Sequence, residues 1–144
     1  MIVSIFRSVG AVIAGLIVAF ILIVAVKGIY PFPLSVDPND YEFHEWHVAN
    51  ISRWLLGVIV VWWGMIALVS SWLATQLGTG RHSAHGIVVG FLLFLPMIAN
   101  MIMLPYPLWF EVANLVTIPV ATIFGTMLGR GTIFGARQPS APPA

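Results

Sequence analysis

Two histidine pairs are the first residues of this chain that could do chemistry. His44 and His47 are three apart, so on a helix they share one face, and Glu42 and Glu45 lie beside them. Imidazole and carboxylate are ordinary zinc ligands, so a divalent metal could sit there. The spacing differs from His-Glu-x-x-His, whose histidines are four apart. A solvated helix start at a membrane surface accounts for the same residues without a ligand, and it is the preferred reading. His82 and His85 repeat the spacing next to Arg81. Either pair could face a haem or a chlorophyll near its own end of the molecule. A polar, basic loop is the plainer reading of the second pair, and no cofactor is expected.

Three more polar residues interrupt apolar runs. Glu111 is the only acidic one, and an ionisable group inside a membrane is costly enough to demand a partner or a function. It lies about one helical turn from Tyr106, counted at ~1.5 Å per residue. There it is expected near the interface, paired with Arg53 or Lys27. Asn100 and Asn114 lie deeper, and are expected to bond across neighbouring helices, as amides in lipid do. Pro96 and Pro119 each remove one helical hydrogen bond and free a carbonyl, of Leu92 and Leu115 respectively. Paired breaks can line an ion or substrate site, although proline is also tolerated in membrane helices by local repair. The chain has no cysteine, so thiol chemistry and disulfides are excluded. No nucleophile–base pair is visible, and an enzyme is the least expected class.

The elements that must carry these residues are membrane helices. The 144 residues are 60% hydrophobic and 8% charged, against about 25% charged in soluble domains. A soluble fold of this size leaves much of its surface wet and cannot hide so much apolar area. A net charge of +1 leaves no nucleic-acid footprint. Uncharged runs between Arg7 and Lys27, Arg53 and Arg81, Gly86 and Phe110, and Val112 and Gly129 are each close to the ~20 residues that cross a bilayer. The expected fold is all-α: a four-transmembrane-helix bundle with spans at roughly 7–27, 52–75, 86–104 and 108–129. These form one membrane domain over 1–130. Residues 28–51 make a short outer-side loop with an interfacial helix, starting near 38 with Asp37 as N-cap and Pro38 at N1. Residues 131–144 form a flexible cytoplasmic tail. The first run is longer than a signal-peptide core and no small-x-small site follows it, so a retained helix is expected.

Lys and Arg set the orientation. With the N-terminus cytoplasmic, Arg7, Arg81, Arg130 and Arg137 fall inside, and only Lys27 and Arg53 outside. Tyr30, Tyr41, Tyr106, Trp46, Trp54 and Trp109 then form an aromatic belt at the outer boundary. Both termini are expected inside.

Small residues predict how the helices approach. Ala113, Thr117, Ala121, Gly125 and Gly129 recur every four residues in the fourth span; Gly86 and Gly90 open the third, and Ala11, Gly15 and Ala19 mark the first. Folding the chain about 107–108 puts Gly86 level with Gly129 and Gly90 with Gly125. The expectation is a glycine seam between spans three and four, with Asn100 and Asn114 toward its outer end. The rival is that the fourth-span stripe faces the first span or an external partner.

The run Asn100 to Phe110, Asn-Met-Ile-Met-Leu-Pro-Tyr-Pro-Leu-Trp-Phe, together with Arg7-Ser8 and Tyr30-Pro31, resembles a family of small bacterial four-span membrane proteins. The resemblance implies this fold and a bacterial inner-membrane location, and brings no activity with it. The His44–His47 stretch is not among the matching pieces.

Three functions are weighed. The first is a non-catalytic accessory or scaffold subunit that associates with larger membrane proteins, or with itself, through its helix faces. The second is a small transporter or channel using Asn100, Asn114, Glu111 and the proline breaks. The third is a haem or pigment binder using a histidine pair. The first is preferred.

Overall fold

In lipid every backbone N–H and C=O must be satisfied within the segment, which leaves helices as the form for long apolar runs such as these. The computed structural model describes residues 2–29 and 40–131, and these form five helices and no strand. They are α1 (Ile2–Ile29), α2 (Tyr41–Asn50), α3 (Arg53–Leu77), α4 (Ser83–Met103) and α5 (Leu108–Arg130). Four of them, α1, α3, α4 and α5, are long and apolar enough to cross a membrane. The protein is a four-helix bundle of the multi-pass membrane type.

Local chemistry sets the boundaries. The Ser52 hydroxyl caps α3 by accepting from the Leu55 N–H. Pro107 stands at the N-cap of α5 and its carbonyl accepts from the Phe110 N–H. Gly131 ends α5 in the left-handed region at φ 74°, where its N–H reaches the Met127 and Leu128 carbonyls. Only a residue without Cβ takes that conformation freely. The short helix begins later than expected. Its N-cap is Asp40, whose carboxylate accepts from the Phe43 N–H. Asp37 and Pro38 lie outside the described residues, as does the tail beyond 131.

The second span, α3, is the hub. It packs against α1, α4 and α5, and most extensively against α5. The reason is a set of small residues that had no weight in the sequence reading. Gly64, Ala67, Ser71 and Ala74 of α3 and Gly78 at its C-cap recur at heptad spacing, and every one is buried. This is where the expected seam is corrected. The α5 stripe faces neither α4's glycines nor α1. Gly125 lies directly against the Leu68 carbonyl of α3, and a Cβ on Gly129 would lie 2.6 Å from the Thr75 Cβ and 2.9 Å from the Trp72 carbonyl oxygen. Gly86 and Gly90 of α4 receive threonines instead of glycines, namely Thr126 and Thr122 of α5. Gly86 and Gly129 do share a level, since both abut Thr75. A branched hydroxyl side chain fills the notch at Gly86, Gly90 and Gly129, while Gly125 meets backbone.

The first span docks by its own small face. Ala11, Gly15 and Ala19 are buried, and a Cβ on Gly15 would lie 3.0 Å from Ala74, from the Ser70 carbonyl and from Val89. At the end of the bundle that holds the N-terminus, a single 3-10 turn at Thr79–Arg81 is tied to α1. The Ser8 and Thr79 hydroxyls bond at 3.0 Å, Thr79 also donates to the Ser4 carbonyl, and the Arg7 Nε donates to the Leu77 carbonyl. The remaining faces carry large apolar side chains turned outward, such as Phe6, Phe20, Phe91 and Phe124, as lipid contact requires.

Candidate functional site

Tight packing by small residues fills the half of the bundle near the N-terminus. Toward the opposite end the residues are larger and the helices part. There α2 lies against the bundle with alternating consequence: Val48 is buried and His44 and His47 are half-buried, while Tyr41, Glu42, Glu45 and Trp46 are exposed. The 44, 47, 48, 51 spacing puts one face of the short turn-and-helix segment inward.

Beneath α2 lies a cavity of about 330 Å³, and a second of about 360 Å³ adjoins it, reached by Ile51 at the end of α2. Ile51, Ile59, Trp63, Asn100 and Tyr106 wall both. The first is completed by His44, His47 and Val48 of α2, by Ile23 of α1, by Trp62 and Ile66 of α3, and by Leu104 after α4. The second is completed by Pro96, Met97 and Met101 of α4 and by Phe110 and Asn114 of α5. Each is in the size range of small-molecule sites. Trp62 is fixed by donating its indole N–H to the Leu22 carbonyl of α1 at 3.1 Å. Tyr106 stacks on Phe110 with ring centroids 4.7 Å apart, and His47 stacks on Phe43 at 5.7 Å.

Asn114 decides the character of the second cavity. It is 1% exposed. Its Nδ2 donates to the Phe110 carbonyl one turn back in its own helix, at 2.9 Å, and its Oδ1 has no hydrogen-bond partner. The expected bond to Asn100 is therefore not made. Asn100 is exposed on the wall shared by both cavities.

The other candidates are placed elsewhere. Glu111 is half-buried in the first turn of α5, in a groove with Ile98, Met101, Ile102 and Leu115. No ion pair joins it to Arg53, and the Lys27 side chain lies outside the described residues. The partial positive charge of the helix N-terminus is what meets its carboxylate. Pro119 lies in a groove with Gly90, Phe94 and Thr122, away from Pro96, so the two proline breaks do not line one site. His82 is exposed and His85 bonds the His82 carbonyl through Nδ1 at 3.0 Å. That pair sits near Ser8, at the far end of the bundle from His44 and His47. Ala113 packs beside Leu56, Val60 and Phe110; Ala121 is buried with Ala67, Met97 and Ile118; Thr117 fills the notch at Gly64.

Among the described residues no three His, Cys, Asp or Glu side chains come close enough to hold a metal ion. His44 and His47 place two imidazoles on an apolar, aromatic cavity, with no third such ligand among the described residues. The sequence reading separated this pair from Asn100 and Asn114; the fold brings all four to the walls of adjoining cavities. Trp62 and Trp63, an indole pair well inside a span that the sequence alone offers as packing or lipid-facing residues or as a pigment stack, line the cavities as well, and the Trp62 N–H finds its acceptor on α1.

Comparison with protein-family models, with curated proteins and with solved structures found no match. The resemblance described above therefore rests on the quoted sequence pieces alone.

Proposed function

We propose that this is a non-catalytic membrane protein of the bacterial inner membrane, with both termini inside, that holds a small amphipathic molecule in the two adjoining cavities. One observation carries the reading. Asn114, a buried residue in the lining of an aromatic cavity, has a side-chain carbonyl oxygen without a partner. Leaving such a group unpaired costs roughly 1–3 kcal/mol, and a bound molecule with a donor relieves that cost. The described walls offer imidazole, amide, phenol and indole groups, and no carboxylate, thiol or aliphatic hydroxyl. That inventory suits recognition, and it holds no serine, threonine, cysteine, lysine or carboxylate to serve as a nucleophile. The transport reading loses two of its five residues, because Glu111 and Pro119 face other grooves.

Association with larger membrane proteins is a second reading. The small-residue stripes no longer favour it, since they are used within the bundle. What favours it is α1, of which only 17% is buried in its most apolar window, leaving Ile13, Ile17 and Phe20 open to lipid or to a neighbour.

Native mass spectrometry on protein extracted gently from its own membrane separates the two. The expected result is one small-molecule adduct per chain, lost when Ile59→Trp fills the shared wall. A bare chain carried in a stoichiometric larger complex supports the second reading and counts against the first.

A further inference from the structure

Resting on that reading, we infer that the bound molecule is uncharged, presents an O–H or N–H donor to Asn114 Oδ1, and carries that donor on a flat ring. Three features of the second cavity lead there. The first is polarity. Asn114 has already spent its Nδ2 on the Phe110 carbonyl, so what it offers is an acceptor. A ligand that brings only acceptors, such as an ether or an ester, leaves it unpaired. A ligand with a hydroxyl satisfies it, and the exposed Asn100 amide on the shared wall can take the same group's lone pair.

The second feature is charge. Tyr106 is the only titratable side chain among the described walls of the second cavity, and no Lys, Arg, Asp or Glu is among them. An ionised headgroup taken from water into such walls finds no counter-charge, and the desolvation cost is large. A neutral group is the one these walls accept.

The third is shape. Trp63 stands on the wall, and the Tyr106 ring, stacked on Phe110, is on the same cavity. Aromatic rings favour offset or edge contact with another flat ring. Met97 and Met101 supply adaptable apolar surface for the remainder of the molecule. A phenol with an apolar tail has every one of these properties.

The test uses 4-hexylphenol and 4-hexylanisole, which differ only in whether the ring oxygen carries a hydrogen or a methyl. Retention of each tritiated compound is measured on nanodiscs containing the full chain, against empty nanodiscs of the same lipid. The expected result is about tenfold tighter retention of the phenol, the usual scale for one buried hydrogen bond. Asn114→Leu, of similar size, should erase the difference; its melting temperature is recorded alongside. If that variant does not fold, the wild-type ratio decides alone. Equal retention of both compounds overturns the donor inference and leaves the cavity reading standing. Retention of neither overturns the inference, and the adduct seen by native mass spectrometry then decides the cavity reading separately.

Discussion

Asn114 and Glu111 lie three residues apart on one helix, and their surroundings give them opposite roles. Asn114 is enclosed and retains a free acceptor. Glu111 is half-open in the first turn of α5, where the helix dipole favours its charge. Glu111→Gln should therefore lower stability by only about 0.3–1 kcal/mol, read as a small fall in melting temperature in nanodiscs. Small-molecule retention should not change; its loss would place Glu111 in the site. The residue types were legible in the sequence, since an amide and a carboxylate in apolar runs stand out. Their partners were not. Asn114 bonds within its own helix, and no spacing rule distinguishes that local bond from one made across to α4.

At the scale of elements, the four spans and their ends follow from charge punctuation and length. The choice of neighbour does not, because equal spacing of small residues on several helices leaves several seams possible. Gly64, Ala67, Ser71, Ala74 and Gly78 held the answer as a heptad pattern running along α3 to its C-cap, masked by the bulky Val, Ile and Trp residues between them. Two glycine substitutions test the arrangement. A Cβ at Gly125 runs into the Leu68 backbone carbonyl, which cannot swing aside. Gly125→Ala should cost about 2 kcal/mol or more, by forcing α3 and α5 apart. Gly57, on the same α3, has nothing within 4 Å of the corresponding position. Gly57→Ala should stabilise by about 0.5–1 kcal/mol through helix propensity. Reversible unfolding in mixed micelles reads both. A tolerated Gly125→Ala would show that α5 does not rest on α3 at this point.

For the whole molecule, one end is closed and the other open. The closed end is packed by glycine and threonine and tied by the contacts of Ser4, Arg7 and Ser8 with the α3–α4 connection. The open end carries exposed Tyr41, Trp46, Trp54 and Trp109, the residues that gather at a membrane interface. The proposed orientation puts this end outside. The chain has no cysteine, so single cysteines introduced at Ser4, Asn39 and Ser140 report topology without background. Only the one at Asn39 should react with an impermeant thiol reagent in intact cells; labelling at Ser4 would reverse the orientation. Sequence alone could not show the cavity, because it is built by five segments that meet only once α3 has gathered the others. The most direct measurement is a crystal structure, grown in a lipidic mesophase, of protein taken gently from its own membrane. The account predicts non-protein density between Trp63, Asn100 and Asn114, within hydrogen-bonding distance of Asn114 Oδ1. Cavities closed by their own side chains, or holding ordered water alone, would contradict it.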